Sequence, residues 1–131
     1  MITEKQVIDA QNEWGAGVVK IGSLKDNRTD CEAFTSEFLD MLYAFEVGTV
    51  LFKPTKCEIQ QFRSTKPDAL SYFIAGDDRT CEEDKGFAIT PWTKVRFENS
   101  GIILEENRAI AMGNYFFTDL NGEEAKVEYT F

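Results

Sequence analysis

Apolar positions recur at helical spacing through the first third of the chain. Val7, Ala10, Trp14, Val18 and Ile21 follow one another at steps of three and four residues, which predicts an amphipathic helix. Thr3, with Glu4 and Gln6 behind it, predicts its capped start. Gly15 and Gly17 lie inside that helix and weaken it by about 1 kcal/mol each relative to alanine. With Gly22 they resemble a dinucleotide-binding glycine run, but no strand precedes them and the spacing is wrong. Lys25-Asp26-Asn27 breaks the pattern. A second helix is predicted from Thr29 or Asp30, with Cys31, Phe34, Phe38, Leu39, Leu42 and Phe45 as its apolar face and an end before Gly48. Thr49-Val50-Leu51-Phe52 predicts a short strand stopped by Pro54. Residues 56–65 are polar and follow no single period. Pro67 in a first turn, followed by Asp68, predicts a short helix through Phe73 that Gly76 terminates.

From residue 92 onward the period falls to two. Strands are predicted over 92–105, 108–118 and 124–131, separated by Glu106-Asn107 and by Leu120-Asn121-Gly122, where Asn-Gly is a strong hairpin signal. In the last strand Ala125, Val127, Tyr129 and Phe131 share one face, and Lys126, Glu128 and Thr130 share the other. Helices first and an antiparallel meander afterwards is an α+β order. The expected architecture is a single domain over 1–131, its N-terminal helices packed on the concave face of one curved antiparallel sheet. Phe131 falls in mid-pattern, leaving an apolar strand edge that a partner chain or further strands must cover. The alternation through 109–117 and 125–131 gives more apolar sheet than two helices cover, which predicts a homodimer or larger homo-oligomer.

Composition narrows the chemistry. The 131 residues are 43% hydrophobic, 28% charged and 13% aromatic, which excludes disorder and disulfide miniproteins. A net charge of −9 argues against nucleic acid or an anionic membrane as partner. No apolar run approaches the ~18 residues of a membrane span. There is no histidine, which excludes Ser-His-Asp and Cys-His nucleophile systems and a three-histidine zinc site. Cys31, Cys57 and Cys81 form no CxxC pair and read as reduced thiols. Asn27-Arg28-Thr29 reads as a chance match to a glycosylation pattern. Asp77, Asp78, Glu82, Glu83 and Asp84 crowd one segment without the spacing of an EF-hand, so it reads as a solvated loop.

Two long helices, a short helix and a bent antiparallel sheet together resemble the cone-shaped nuclear transport factor 2-like fold. Particular segments narrow the likeness: Glu13-Trp14-Gly15, Val18 to Gly22, Leu51-Phe52-Lys53-Pro54-Thr55, Gln61 to Thr65 and Ala69-Leu70-Ser71-Tyr72-Phe73. Lys85-Gly86-Phe87-Ala88, Pro91 to Phe97 and Met112 to Phe117 follow in order. In this order they resemble a domain of the iota-class carbonic anhydrases of algae and bacteria, over nearly the whole chain. The resemblance implies reversible hydration of carbon dioxide to bicarbonate. Some members of that class work without a metal and others are described as manganese-dependent; the metal-free form, with no cofactor, suits a chain without histidine.

Carried over residue by residue, Thr55 matches the threonine closing the Phe-Lys-Pro-Thr motif, and Tyr72 the tyrosine of Leu-Ser-Tyr-Phe. In the family those hydroxyls face bicarbonate or the reacting water. A third participant, a serine in a His-His-Ser-Ser stretch on a further C-terminal strand, has no match here. Hydroxyls can orient a water and a substrate oxygen, whereas a neutral tyrosine is a poor base at pH 7. Phe52, Trp92 and Tyr115 are candidate walls of an apolar carbon dioxide pocket; Lys53 and Arg63 could attract bicarbonate or could be plain solvated charges. The N-terminus reads as a helix start rather than a targeting peptide, and the resemblance implies a plastid or other intracellular compartment. Two alternatives share the fold: a small-molecule isomerase or dehydratase, which without histidine would need a buried Asp or Glu from the sheet, and a non-catalytic association module.

Overall fold

The computed structural model describes all residues, 1–131. Helix α1 spans Glu4–Ser23, α2 Arg28–Leu42 and α3 Lys66–Ile74; a short 3-10 turn at Phe87–Ile89 precedes strands β1 (Lys94–Leu104), β2 (Ala109–Thr118) and β3 (Glu124–Thr130). The chain forms two compact units, one of Met1–Val19 with Trp92–Phe131 and one of Lys20–Pro91. The α+β order read from the sequence is the order observed.

In the first unit the three strands pair antiparallel in the order β1-β2-β3. The start of α1 is held reciprocally: the Thr3 amide donates to Gln6 Oε1 at 2.8 Å, and the Gln6 amide to Thr3 Oγ1 at 3.2 Å. Its apolar stripe then lies on the sheet, with the Trp14 ring 5.5 Å from Tyr115, 5.9 Å from Phe97 and 6.1 Å from Phe117. Gly15 explains itself here, since a Cβ at that position would sit 3.2 Å from Val95 Cβ. The helix accepts a poor helix former so that strand and helix can approach closely. A bulge between Asn99 and Gly101 shifts the β1–β2 register. Opposite it, a Cβ on Gly113 would lie 2.1 Å from the Glu98 carbonyl oxygen, so no other residue fits. Buried Gln11 exchanges amide hydrogen bonds with Asn99 at 2.7 and 2.9 Å, and the Tyr129 hydroxyl donates to the same Asn99 oxygen. Val127 and Tyr129 are buried and alternate with exposed Lys126, Glu128 and Thr130, as their period of two predicts.

The Asn-Gly signal marks the β2–β3 connection, though not as a two-residue turn. The loop runs from Asp119, whose Oδ1 accepts the amides of Asn121 (2.8 Å) and Glu123 (3.0 Å), and Gly122 takes φ +83°.

In the second unit α2 begins one residue earlier than predicted, because Asn27 caps it by accepting the Asp30 amide at 3.1 Å. It also ends sooner, at Leu42. Phe45 lies beyond it and stacks on Tyr43 at 5.8 Å, so the apolar spacing outlasted the helix. The predicted strand at Thr49–Phe52 does not form. Leu51 is 96% exposed, and β-branched, apolar character cannot make a strand without an edge to pair with. Helix α3 starts behind Thr65, which accepts the Asp68 amide, and ends where Ala75 and Gly76 take φ +45° and +104°. The Arg28 guanidinium donates to the carbonyls of Ile74 (2.8 Å) and Ala75 (2.6 Å) at that end. The three cysteines are free and buried. No helix is long and apolar enough to cross a membrane.

Candidate active site

The stretch read as polar and without period, 56–65, belongs to a loop closed at its neck. The Arg63 amide donates to the Phe52 carbonyl at 2.8 Å, so Phe52 and Arg63 are the two feet of a compact surface loop. Inside it the Arg63 side chain, 0% exposed, uses its whole guanidinium. Nε donates to the Gln60 carbonyl (2.9 Å), Nη1 to the Asp68 carbonyl (3.0 Å) and Asp84 Oδ2 (2.7 Å), and Nη2 to Asp84 Oδ1 (2.8 Å) and Cys57 Sγ (3.4 Å). The hydrogen bonds to Asp84 hold the guanidinium pKa above its already high ordinary value. Arg63 is therefore neither a solvated charge nor an anion receptor.

The acidic segment 77–85 departs from its reading as a solvated loop at Glu83 and Asp84, while Asp77, Asp78 and Glu82 are exposed as expected. Asp84 is buried, and its Oδ2 also accepts the Ser71 hydroxyl at 2.5 Å. Glu83 accepts three successive amides, those of Glu58 (2.8 Å), Ile59 (2.9 Å) and Gln60 (2.8 Å), and so pins the far side of the loop. No group of three or more His, Cys, Asp or Glu is gathered as a metal would need. The isomerase alternative needs a buried Asp or Glu on the sheet, and the strands carry none; the buried carboxylate, Asp84, lies outside the sheet with both its oxygens engaged by Arg63 and Ser71.

The Glu83 contacts carry a pH dependence. The amides lower its pKa from 4.5 to about 2, led by those of Glu58 and Gln60. A folded-state pKa below the unfolded one gives stability that is present above pH 4.5 and lost as pH falls toward 2. Urea unfolding across that range should show Glu83→Gln with a flatter acid limb than the parent; an unchanged limb would contradict the assignment.

Lys53 likewise is a clamp. Its ammonium donates to the carbonyls of Pro54 (3.1 Å), Thr55 (3.0 Å) and Cys57 (3.2 Å). Thr55 sits exposed on that turn. Tyr72 is half-buried on α3, between buried Ser71 and Phe73. Its ring stacks on Phe87 (5.6 Å, 14°) and meets the Phe52 and Phe73 rings edge-on at 6.0 and 5.7 Å. The second unit thus brings together Phe52 and Tyr72, with Thr55 three residues along the chain from Phe52. Trp92 and Tyr115 belong to the first unit. Trp92 packs on Phe117 at 5.4 Å, and Tyr115 lies among Trp14, Phe97, Phe117 and Tyr129 at 4.6–5.5 Å. Burial there pushes the Tyr115 phenol up to about 12. The supporting charges Arg63, Glu83 and Asp84 had no sequence signal, since partners 21 and more residues apart look like ordinary surface charge.

A family model for metal-independent carbonic anhydrase matches residues 5–131. The chain belongs to the metal-independent carbonic anhydrase family. A curated relative, the metal-independent carbonic anhydrase of Nostoc sp. (strain PCC 7120), is 39% identical over 133 residues, a match taking in 99% of this chain. The chain spans 64% of that relative's length. Among solved structures, the crystal structure of an iota-carbonic anhydrase from a cyanobacterium complexed with bicarbonate is also 39% identical. It superposes with a TM-score of 0.92, over 98% of this chain and 80% of that one. In this carbonic anhydrase family member, the Phe-Lys-Pro-Thr segment is the clamped turn after Phe52, and Leu-Ser-Tyr-Phe lies on α3.

Proposed function

We propose that this chain is a carbonic anhydrase that hydrates carbon dioxide to bicarbonate without a metal, using the hydroxyls of Thr55 and Tyr72. The observation that carries this reading is the likeness, along nearly the whole chain, to an iota-carbonic anhydrase solved with bicarbonate. The order of two long helices, a short helix and an antiparallel sheet supports the nuclear transport factor 2-like reading of the fold.

The chemistry asks little of any single group. Water adds to the carbon of carbon dioxide, one proton leaves to solvent or buffer, and negative charge develops on the former carbon dioxide oxygens. A hydroxyl both donates and accepts, so one can hold the attacking water while the other donates to the oxygen that gains charge. Tyr72 is suited to the second role because its stacked ring fixes the direction of the phenol. Phe52 beside it supplies an apolar wall suited to a nonpolar substrate.

Isotopic oxygen exchange between labelled bicarbonate and water tests the reading. The exchange should accelerate in proportion to protein concentration. Exchange at the buffer rate would favour the association module.

The outer face of the sheet supports a homo-oligomer of at least two chains. Ile103 and Ile110 pair across β1 and β2, Met112 follows on the same face, and the three are 60%, 42% and 58% exposed. Sedimentation at micromolar concentration should give a dimer or larger; a monomer would contradict it.

A further inference from the structure

We infer that Lys53 is a positioning residue for the hydration reaction, holding the Thr55 turn through three backbone carbonyls. The inference rests on the proposed role of Thr55. The loop between Phe52 and Arg63 is fixed at its neck by the Arg63 amide on the Phe52 carbonyl (2.8 Å), from inside by the Arg63 guanidinium on the Gln60 carbonyl and the Cys57 sulfur, and on its far side by Glu83 on the amides of 58–60. Of residues 54–57 these anchors reach only the Cys57 sulfur. That stretch is folded around the Lys53 ammonium, which meets the carbonyls of Pro54, Thr55 and Cys57 at 3.0–3.2 Å, while the Cys57 amide closes the turn on the Pro54 carbonyl at 3.1 Å.

An ammonium has three N–H donors, and all three go to this one turn. The side chain therefore has no donor left for an anion, which removes the bicarbonate-attracting role. Its charge instead compensates three carbonyl dipoles that converge on one point. Without it those oxygens repel, the turn opens, and the Thr55 backbone loses its fixed place. Lys53 is itself exposed, so its replacement leaves no buried charge behind.

The test compares Lys53→Met, which keeps the stem and loses the donors, with Lys53→Arg, which keeps charge and donors. Each is made in the parent and in Thr55→Val. Stopped-flow hydration should show Lys53→Met reduced about tenfold, chiefly in kcat, since misplacement of a positioned group acts on the transition state. Lys53→Arg should recover most of that loss, and Lys53→Met should cost nothing further in Thr55→Val. The melting temperature should hold while hydrogen exchange at the Cys57 amide quickens. Full activity of Lys53→Met beside an impaired Thr55→Val would overturn the inference, as would losses that multiply in the double variant or an arginine no better than methionine. Full activity of Thr55→Val would overturn the site assignment and the inference with it. If the parent chain is inactive, the functional reading fails, and unchanged exchange at Cys57 would separately show that Lys53 does not hold the turn.

Discussion

Arg63→Met should destabilise the protein by about 3–5 kcal/mol, because it leaves the Asp84 carboxylate buried with no counter-ion. The side chains of the pair are 0% and 1% exposed, so water cannot take over the lost hydrogen bonds. The guanidinium also ties together the Gln60 and Asp68 carbonyls and the Cys57 sulfur, so the loss spreads over the whole 52–63 loop. A shift of that size lowers the melting temperature by ~10 °C or more. Replacing both partners, Arg63→Met with Asp84→Leu, should recover much of the loss, since a matched apolar pair leaves no stranded charge. Thermal unfolding of the single and double variants checks this. A single variant melting within a degree or two of the parent would contradict the clamp.

How far the sequence foretells this structure depends on where the information lies. The helices are legible because Val7 to Ile21 and Ala69 to Phe73 repeat at their own local period, and because Thr3, Asn27 and Gly76 are local punctuation. The meander is legible for the same reason: β3 alternates cleanly, and Asp119 to Gly122 is rich in turn formers. The Thr49–Phe52 segment misleads because strand formation is decided by a partner edge, which local composition does not contain. Arg63, Glu83 and Asp84 mislead for a related reason. Whether a charge is solvated or buried against its opposite depends on contacts across 21 to 25 residues, and the residue types are identical in both cases. The bulge at Asn99 is silent too, apart from Gly101 beside it and Gly113 opposite.

The candidate site was legible through family likeness rather than through pattern. Nothing in a Thr after a Pro, or a Tyr on a short helix, distinguishes a reacting hydroxyl from a turn hydroxyl or a packed ring. The structure adds the supports beneath those hydroxyls: the Lys53 clamp under Thr55, and under Tyr72 the Phe87 stack with the Ser71–Asp84 bond one residue away.

Tyr72→Phe should therefore separate chemistry from stability. The substitution keeps a ring to stack on Phe87 and to meet Phe52 and Phe73, and it removes one oxygen. Melting should change little. If the phenol donates to the oxygen that gains charge, its loss costs on the order of 1–3 kcal/mol of transition-state stabilisation, or ~10–100-fold in rate. The most direct measurement is stopped-flow carbon dioxide hydration by the purified chain in the presence of a metal chelator, with Tyr72→Phe alongside. Hydration should stand above the buffer background, undiminished by chelator and reduced by that factor in the variant. Hydration that vanishes with chelator, or that is equal in Tyr72→Phe and the parent, would contradict this.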